Sequence, residues 1–266
     1  VGLSIGTVSP AKLRAAKSAG LDCVEINAIE EGMYWKDLPL WEESIGIKVQ
    51  SLHLPFSRRK EGVLCSNPAT LDPEEWEQTK NACVPFIENA GQAGVGIFVI
   101  HSSLERNPEE GPEREALIES SIEHLGYLSD ICKRNGAILA VEDLPRTCLG
   151  NTDIELKRIV GSNEDLRVCF DVNHLLKGTH KDFIRLLADR IITTHISDYD
   201  FVDERHLFPR ETRWTEKGGF IGKINWGELQ KDLEEADYKG AWMYEVSLGN
   251  HPIEEVRLNR ESLLDL

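Results

Sequence analysis

The chain has 266 residues and a mass of 30.0 kDa. α/β barrels often occupy this length as a single domain, so we expect residues 1–266 to form one domain. The formal net charge of -16, from 30 Lys+Arg and 46 Asp+Glu, repels polyphosphate backbones and disfavours a nucleic-acid partner. No apolar run is long enough to cross a bilayer, so the sequence predicts no membrane span.

Strand-like and helix-like segments alternate along the chain. The predicted strands are 1–8, 21–26, 47–52, 95–100, 137–141, 166–170, 191–196 and 241–246. The predicted helices are 11–19, a short segment before Gly46, 72–93, 112–134, 151–161, 181–188, 226–238 and 253–266. Several strands are continuously apolar, as parallel strands buried on both faces are. This alternation predicts a single (β/α)8 TIM barrel.

An open doubly wound sheet is the competing fold. It would bind its ligand at one switch point, after a Gly-rich first turn. Gly2 and Gly6 are not followed by that fingerprint, and polar strand ends are spread along the whole chain. The barrel is therefore favoured.

Most of the predicted strands end in an imidazole or a carboxylate. The side chains at these ends are His53, His101, Glu142, Asp171, His195 and Glu245, and the second strand carries Glu25 and Asn27 at its end. The carboxyl ends of barrel strands meet at one face, where the active sites of TIM barrels lie. We therefore expect these side chains to converge there.

Four of these side chains form a candidate metal site: Glu142, Asp171, His195 and Glu245. Carboxylates with one imidazole suit a hard divalent ion such as Mn²⁺, Mg²⁺ or Co²⁺. Any one of them alone would more often be a capping or surface residue. Three carboxylates facing one mouth repel one another, however, and a cation offsets that repulsion.

Other histidines are candidates for substrate contacts. His174 lies three residues after Asp171 and faces the same mouth from a loop, which suits a substrate hydroxyl or a second metal ion. His53 and His101 are metal ligands, substrate contacts or buried structural histidines, and we favour substrate contact. The segment from Asp203 to His206 is either a solvated charge run or a clamp on a substrate oxygen.

The six cysteines show no CxxC pair and no zinc-ribbon spacing, which favours free thiols in a reducing compartment. No signal peptide follows Val1, and we expect a cytoplasmic protein. The chain starts without Met, so a cleaved leader before Val1 is also compatible with the sequence.

The strand-end motifs resemble those of the xylose-isomerase-like TIM-barrel superfamily. They are Leu52-His53-Leu54-Pro55, Val141-Glu142-Asp143, Phe170-Asp171-Val172-Asn173-His174, Thr194-His195-Ile196-Ser197-Asp198 and Tyr244-Glu245-Val246, with Asp203 to His206 between the last two. The superfamily includes sugar isomerases, ketose 3-epimerases, hydroxypyruvate isomerases, inosose dehydratases and endonuclease IV. No motif is specific to one activity, so the resemblance indicates fold and metal site better than substrate.

The resemblance implies a metal-dependent sugar isomerase or epimerase. It implies an ion of Mn²⁺, Mg²⁺, Co²⁺ or Zn²⁺ held by the four strand-end ligands, with Glu142 and Glu245 exchanging a proton with a substrate carbon. Substrate-holding roles are implied for His174 and Arg205, and we add His53, His101 and His206. The Pro-Gly-x-Gly turn that often follows the equivalent of His206 is here Pro209-Arg210-Glu211-Thr212, which leaves the substrate open.

Three alternatives remain at this point. The first is a metal-dependent lyase or dehydratase acting on a keto-sugar or inosose. The second is a zinc nuclease resembling endonuclease IV, in which histidines join the four ligands around three zinc ions, and the acidic charge argues against it. The third is a sugar-binding barrel without catalysis. We expect a small carbohydrate substrate, with the chain either monomeric or a homo-oligomer.

Overall fold

The structure, a computed structural model, describes residues 1–28, 35–56, 65–175, 177–199, 206–207, 209 and 224–246, with Tyr199 and Leu207 described by their backbone alone. Its strands are β1 Gly2–Ser4, β2 Cys23–Ile26, β3 Lys48–His53, β4 Ile97–His101, β5 Ile138–Glu142, β6 Arg167–Asp171, β7 Ile191–Ile196, β8 Asp198–Tyr199, β9 His206–Leu207 and β10 Ala241–Tyr244. Eight of them form a closed barrel in the order β1-β10-β7-β6-β5-β4-β3-β2, and every neighbouring pair is parallel. The predicted (β/α)8 barrel is confirmed.

Helices connect the barrel strands. Those in the described ranges are α1 Pro10–Ser18, α2 Leu38–Ile45 after a 3₁₀ turn at Trp35–Asp37, α3 Pro73–Gln92, α4 Pro112–Arg134, α5 Asp153–Gly161, α6 His180–Leu187 and α7 Trp226–Glu235. Side-chain caps fix several helix starts, since Ser9, Thr152 and Thr179 each accept a hydrogen bond from a backbone N–H three residues later. These caps set where the preceding loops end, and those loops carry the candidate site.

The outer core lies between the strands and the helices. Phe170 on β6 stacks on Phe183 of α6 with ring centroids 4.4 Å apart, and both side chains are buried. Burying one such ring stabilises the fold by about 1.5–3 kcal/mol. No helix in the described part of the chain is both long and apolar enough to cross a membrane.

The barrel interior is layered because strand side chains alternate between the two faces of a sheet. Val99, Ala140 and Cys169 form a small apolar cluster of their own inside the barrel. Two residues further along β4, β5 and β6 the same face carries His101, Glu142 and Asp171. An apolar layer that excludes water therefore lies directly beneath a charged layer.

One pair of strands was not predicted. β8 and β9 pair antiparallel outside the barrel, with Tyr199 opposite His206. They fall in the stretch between the last two barrel strands that the sequence presents only as polar loop. The predicted closing helix 253–266 lies outside the described residues.

All six cysteines are free thiols, as expected. Five are buried and Cys65 is partly exposed. Burial raises the pKa of Cys83 to about 12 and that of Cys23 to about 11. These thiols are protonated at neutral pH and behave as small apolar side chains.

Candidate active site

Strand register brings the predicted site residues together at one end of the barrel. His101 on β4 pairs with Glu142 on β5, and Asp171 on β6 pairs with His195 on β7. Glu245 directly follows β10, and its backbone N–H donates a 3.1 Å hydrogen bond to the end of β7. The four predicted metal ligands thus occupy the carboxyl ends of four adjacent barrel strands.

These four side chains converge, as the sequence predicts. One possible ligand atom from each lies within 4.8 Å of the other three: Glu142, Asp171, His195 and Glu245. His195 Nδ1 is 3.2 Å from Glu142 Oε1 and 3.4 Å from Glu245 Oε2. Asp171 and His195 are fully buried and the Glu245 side chain is 16% exposed, so the cluster opens towards solvent at Glu245.

The chemistry of the cluster fits a divalent cation. Asp171 Oδ2 and Glu245 Oε2 are buried and accept no hydrogen bond from any described residue. Carboxylates this close repel one another strongly where water is scarce, and buried oxygens without partners are costly. A bound divalent ion would offset both costs, and oxygen ligands with one imidazole nitrogen are an ordinary ligand set for such an ion.

A cavity of about 870 Å³ lies above the cluster. Its lining residues are Phe56, Asn67, His101, Ser103, Leu104, Glu105, Arg106, Asn107, Glu142, Leu144, Pro145, Arg146, Cys148, His174, His206 and Glu245. Glu142 and Glu245 line it, whereas Asp171 and His195 are not among its lining residues. A molecule in this cavity would therefore meet the two glutamates of the cluster.

His53 and His101 both contact the same carboxylate oxygen. His53 Nε2 lies 2.9 Å and His101 Nε2 3.1 Å from Glu142 Oε2. His101 borders the cavity, whereas His53 is 1% exposed and its Nδ1–H donates to the Leu54 carbonyl oxygen at 2.8 Å. The structure places His101 where a substrate contact was expected and His53 one layer deeper.

His174 and His206 both line the cavity, and their rings meet edge to face with centroids 5.8 Å apart. His174 Nδ1 donates to the carbonyl oxygen of Asp143 at 3.0 Å, and His206 Nδ1 donates to that of Glu245 at 3.1 Å. Both backbone contacts hold the ring orientation through Nδ1 and do not use Nε2. Arg205 lies outside the described residues.

A family model described as a xylose isomerase-like TIM barrel matches residues 13–266. The chain belongs to the xylose isomerase-like TIM barrel family. The resemblance predicted from the strand-end motifs is thereby confirmed. Among curated proteins, no sequence matches the chain.

Solved structures with the same fold cover nearly the whole chain. A D-tagatose 3-epimerase-like protein is 21% identical with a TM-score of 0.73, covering 92% of this chain and 89% of its own. The 3-keto-D-glucoside 4-epimerase of E. coli is 16% identical with a TM-score of 0.74 and 99% coverage of both chains. The IOLI protein with a bound zinc atom is 18% identical with a TM-score of 0.75, covering 99% of this chain and 96% of its own.

In this family member the two cavity glutamates differ in proton affinity. Burial alone would raise the pKa of Glu142, but the positive charges of His195 and His101 hold it well below its usual value. Burial raises the pKa of Glu245, and the negative charges of Glu142 and Asp171 contribute to the rise although His195 opposes it. Two carboxyl groups with divergent pKa values suit opposite roles in proton transfer.

Two histidines of the site, His174 and His195, have raised pKa values. Burial would lower the pKa of His195, but its neighbour Cys169 and then the carboxylates of Glu25 and Glu245 raise it well above its usual value. Burial would likewise lower the pKa of His174, and the charges of Asp171 and Glu142 raise it to about 10. These two histidines therefore hold positive charge near neutral pH when no ion is bound.

Glu25 is a further candidate functional residue that the strand-end pattern did not single out. Its carboxylate is fully buried inside the barrel, and Oε1 lies 3.1 Å from His195 Nε2. The sequence pattern that identified the metal ligands also applies to Glu25, because Glu25 lies near the end of a predicted strand. What the sequence does not show is that the end of β2 faces the end of β7 across the barrel interior.

Proposed function

We propose that this chain is a divalent-ion-dependent isomerase or epimerase acting on a small sugar, keto-sugar or polyol. The observation that carries the proposal is the cavity above the four-residue cluster, which reaches Glu142 and Glu245 but not Asp171 or His195. The four-residue cluster has suitable ligands for a divalent ion, and Glu142 and Glu245 are also accessible to a substrate in the cavity. The similarity to a D-tagatose 3-epimerase-like protein and to a 3-keto-D-glucoside 4-epimerase supports this reaction class.

Each residue has a distinct part in the proposed reaction. Glu142, Asp171, His195 and Glu245 hold the ion, which when bound would polarise a carbonyl or hydroxyl oxygen of the substrate. Glu142 and Glu245 transfer a proton from and to the carbon next to that oxygen. The cavity histidines His101, His174 and His206 are proposed to hydrogen-bond substrate hydroxyls together with Arg205, and the lining of the cavity supports this for the three histidines. His53 keeps Glu142 oriented from below.

The experiment is a metal analysis of the purified chain with a panel of ketoses and keto-sugars in D₂O. We expect one bound divalent ion per chain and entry of solvent deuterium at one substrate carbon. Glu142→Gln and Glu245→Gln keep the size of the side chain and remove its proton-accepting charge. Each should bind the ion and lose activity by about 10²–10⁴-fold.

Glu88→Gln is the matched control, because Glu88 is exposed on α3, away from the cavity. It should turn over substrate at the wild-type rate. If the cavity variants keep wild-type rates on a competent substrate, the two-glutamate scheme is wrong. Loss of a leaving group in the product, with the same deuterium labelling, would instead identify the lyase alternative.

One observation favours a second candidate function, that of a zinc nuclease. His53, His101 and Glu142 form a second group that could hold an ion, and it shares Glu142 with the first. A centre with several ions is what the nuclease alternative requires. The metal analysis distinguishes the two functions, because two or three ions per chain would support the nuclease and one ion supports the isomerase.

A further inference from the structure

Glu25 is a buried carboxylate beside the candidate metal cluster but outside it. It ends β2, its side chain is fully buried, and it is not one of the residues lining the cavity. A carboxylate removed from water in this way is costly unless other groups compensate it. The groups that contact the Glu25 carboxylate therefore indicate its role.

Both carboxylate oxygens of Glu25 have partners from three different strands. Ser51 Oγ on β3 donates to Oε2 at 2.7 Å, and Ser4 Oγ on β1 donates to Oε1 at 3.3 Å. His195 Nε2 on β7 lies 3.1 Å from Oε1. The two serines pair in register with Glu25 on its neighbouring strands, so they hold the carboxylate from both sides while Oε1 also faces the imidazole.

His195 thus has carboxylates at both ring nitrogens. Nε2 faces Glu25, while Nδ1 is 3.2 Å from Glu142 Oε1 and 3.4 Å from Glu245 Oε2. A neutral imidazole carries one N–H, and only the other nitrogen can bind a cation. Nε2 and Glu25 are at ion-pair distance without hydrogen-bond geometry, and a negative charge this close favours the hydrogen on Nε2, which leaves the lone pair of Nδ1 for the cluster.

We propose that Glu25 is a positioning residue that sets the tautomer and ring orientation of His195, so that Nδ1 is the nitrogen that binds the ion. Ser4 and Ser51 hold Glu25 in the orientation that this requires. The inference rests on the proposed function, since it assumes that the cluster binds a divalent ion. It adds a buried residue on β2, separated from β7 by β1 and β10, to the residues that determine ion affinity.

The test is a titration of chelator-treated, full-length protein with Mn²⁺ and with Zn²⁺. Glu25→Gln keeps the shape of the side chain, removes its charge and can present an N–H to His195, which would favour the wrong tautomer. Loss of such a partner of a metal-binding histidine weakens ion affinity by about 10–100-fold. Glu42→Gln is the matched control, because Glu42 is also a buried carboxylate, accepting from Val49 N and Lys48 Nζ far from the cluster. It should bind both ions as the wild type does.

A second readout reports the tautomer directly. Long-range ¹H–¹⁵N correlation spectra of the Zn²⁺-loaded protein should show His195 protonated at Nε2 in the wild type, with that state depleted in Glu25→Gln. If Glu25→Gln does not fold, Ser51→Ala removes one hydrogen bond to the carboxylate and should weaken ion binding in the same direction by a smaller factor.

The outcomes separate the two proposals. A wild-type chain that binds neither ion overturns the proposed function. A wild type that binds an ion, with Glu25→Gln equal to it in affinity and tautomer, overturns only the role of Glu25. Equal weakening in Glu25→Gln and Glu42→Gln would assign the effect to general loss of buried charge and would also overturn it.

Discussion

At the residue scale, His195 links ion binding to pH. Its pKa in the ion-free protein lies well above the usual value, so near neutral pH the ring holds a proton on both nitrogens. An ion that binds Nδ1 must displace one of these protons. Apparent ion affinity should therefore rise with pH through the neutral range and level off above the pKa of His195.

Proton release can be measured calorimetrically. Titration of the ion into the ion-free protein in two buffers of different ionisation enthalpy gives the number of protons released. We expect about one proton from His195 at pH 7, with a further contribution from Glu245, whose pKa is raised, towards acidic pH. His195→Asn should release one proton fewer. Affinity that is constant between pH 6 and pH 8 would contradict this account.

The sequence predicts the strand-end side chains well and their partners across the barrel poorly. Period-two alternation and the carboxyl-end rule were enough to find Glu142, Asp171, His195 and Glu245. Glu25 follows the same pattern but contacts His195 through the interior. Which interior side chains meet across a barrel depends on strand tilt and stagger, and no local periodicity encodes these.

At the element scale, prediction was best where a segment is long or strongly patterned. The predicted helix 112–134 and strand 191–196 coincide with α4 and β7. Each has an apolar pattern and clear end signals, such as Pro112 at the helix start and Asn135 at its end. The two-residue strands β8 and β9 are too short to show periodicity, and only tertiary pairing defines them.

Arg114 braces the elements beside the cavity. Its side chain, buried at the start of α4, donates to both carboxylate oxygens of Glu155 on α5, at 2.8 Å and 2.7 Å. It also donates to the carbonyl oxygens of Pro108 and Cys148, at 2.7 Å and 2.9 Å. One guanidinium group therefore ties α4 and α5 to the loops after β4 and β5.

Removing the Arg114 guanidinium group should lower the free energy of unfolding. Arg114→Met leaves the carboxylate of Glu155, which is 16% exposed, without its guanidinium partner. Breaking a buried ion pair from one side lowers the free energy of unfolding by about 3–5 kcal/mol, and we expect a loss near the lower end of this range. Arg158→Met is the matched control, because the Arg158 side chain is 41% exposed and its pairs with Glu115 and Glu119 lie on the surface.

Urea unfolding of the ion-free proteins measures both effects. The control should change the free energy of unfolding by about 1 kcal/mol or less. Arg114→Lys keeps the charge but cannot reproduce the forked contacts with Glu155, so its stability should fall between that of Arg114→Met and the wild type. A loss in Arg114→Met no larger than that of the control would show that the buried network does not brace the loops.

At the scale of the whole molecule, charge separates the isomerase from the nuclease alternative. The net charge of -16 opposes the approach of a polyanion. Several described basic side chains are also paired with acids on the surface, as Arg158 is with Glu115 and Glu119 and Lys133 is with Asp165. Such pairing leaves less free positive charge for contacts with phosphates.

We therefore expect no specific binding of DNA, abasic or intact. Proteins that bind DNA neutralise phosphates with Lys and Arg, and their affinity falls steeply with salt because counterions are released. Binding is measured by fluorescence anisotropy of a labelled abasic duplex, with Zn²⁺-loaded and Mn²⁺-loaded protein at 50 mM and 200 mM salt. We expect no saturable binding. Gels of the same reactions should show intact strands. The intact duplex of the same sequence is the control. Binding that weakens with salt, favours the abasic duplex and is followed by strand cleavage would overturn the proposed isomerase and favour the multi-ion site built on His53, His101 and Glu142.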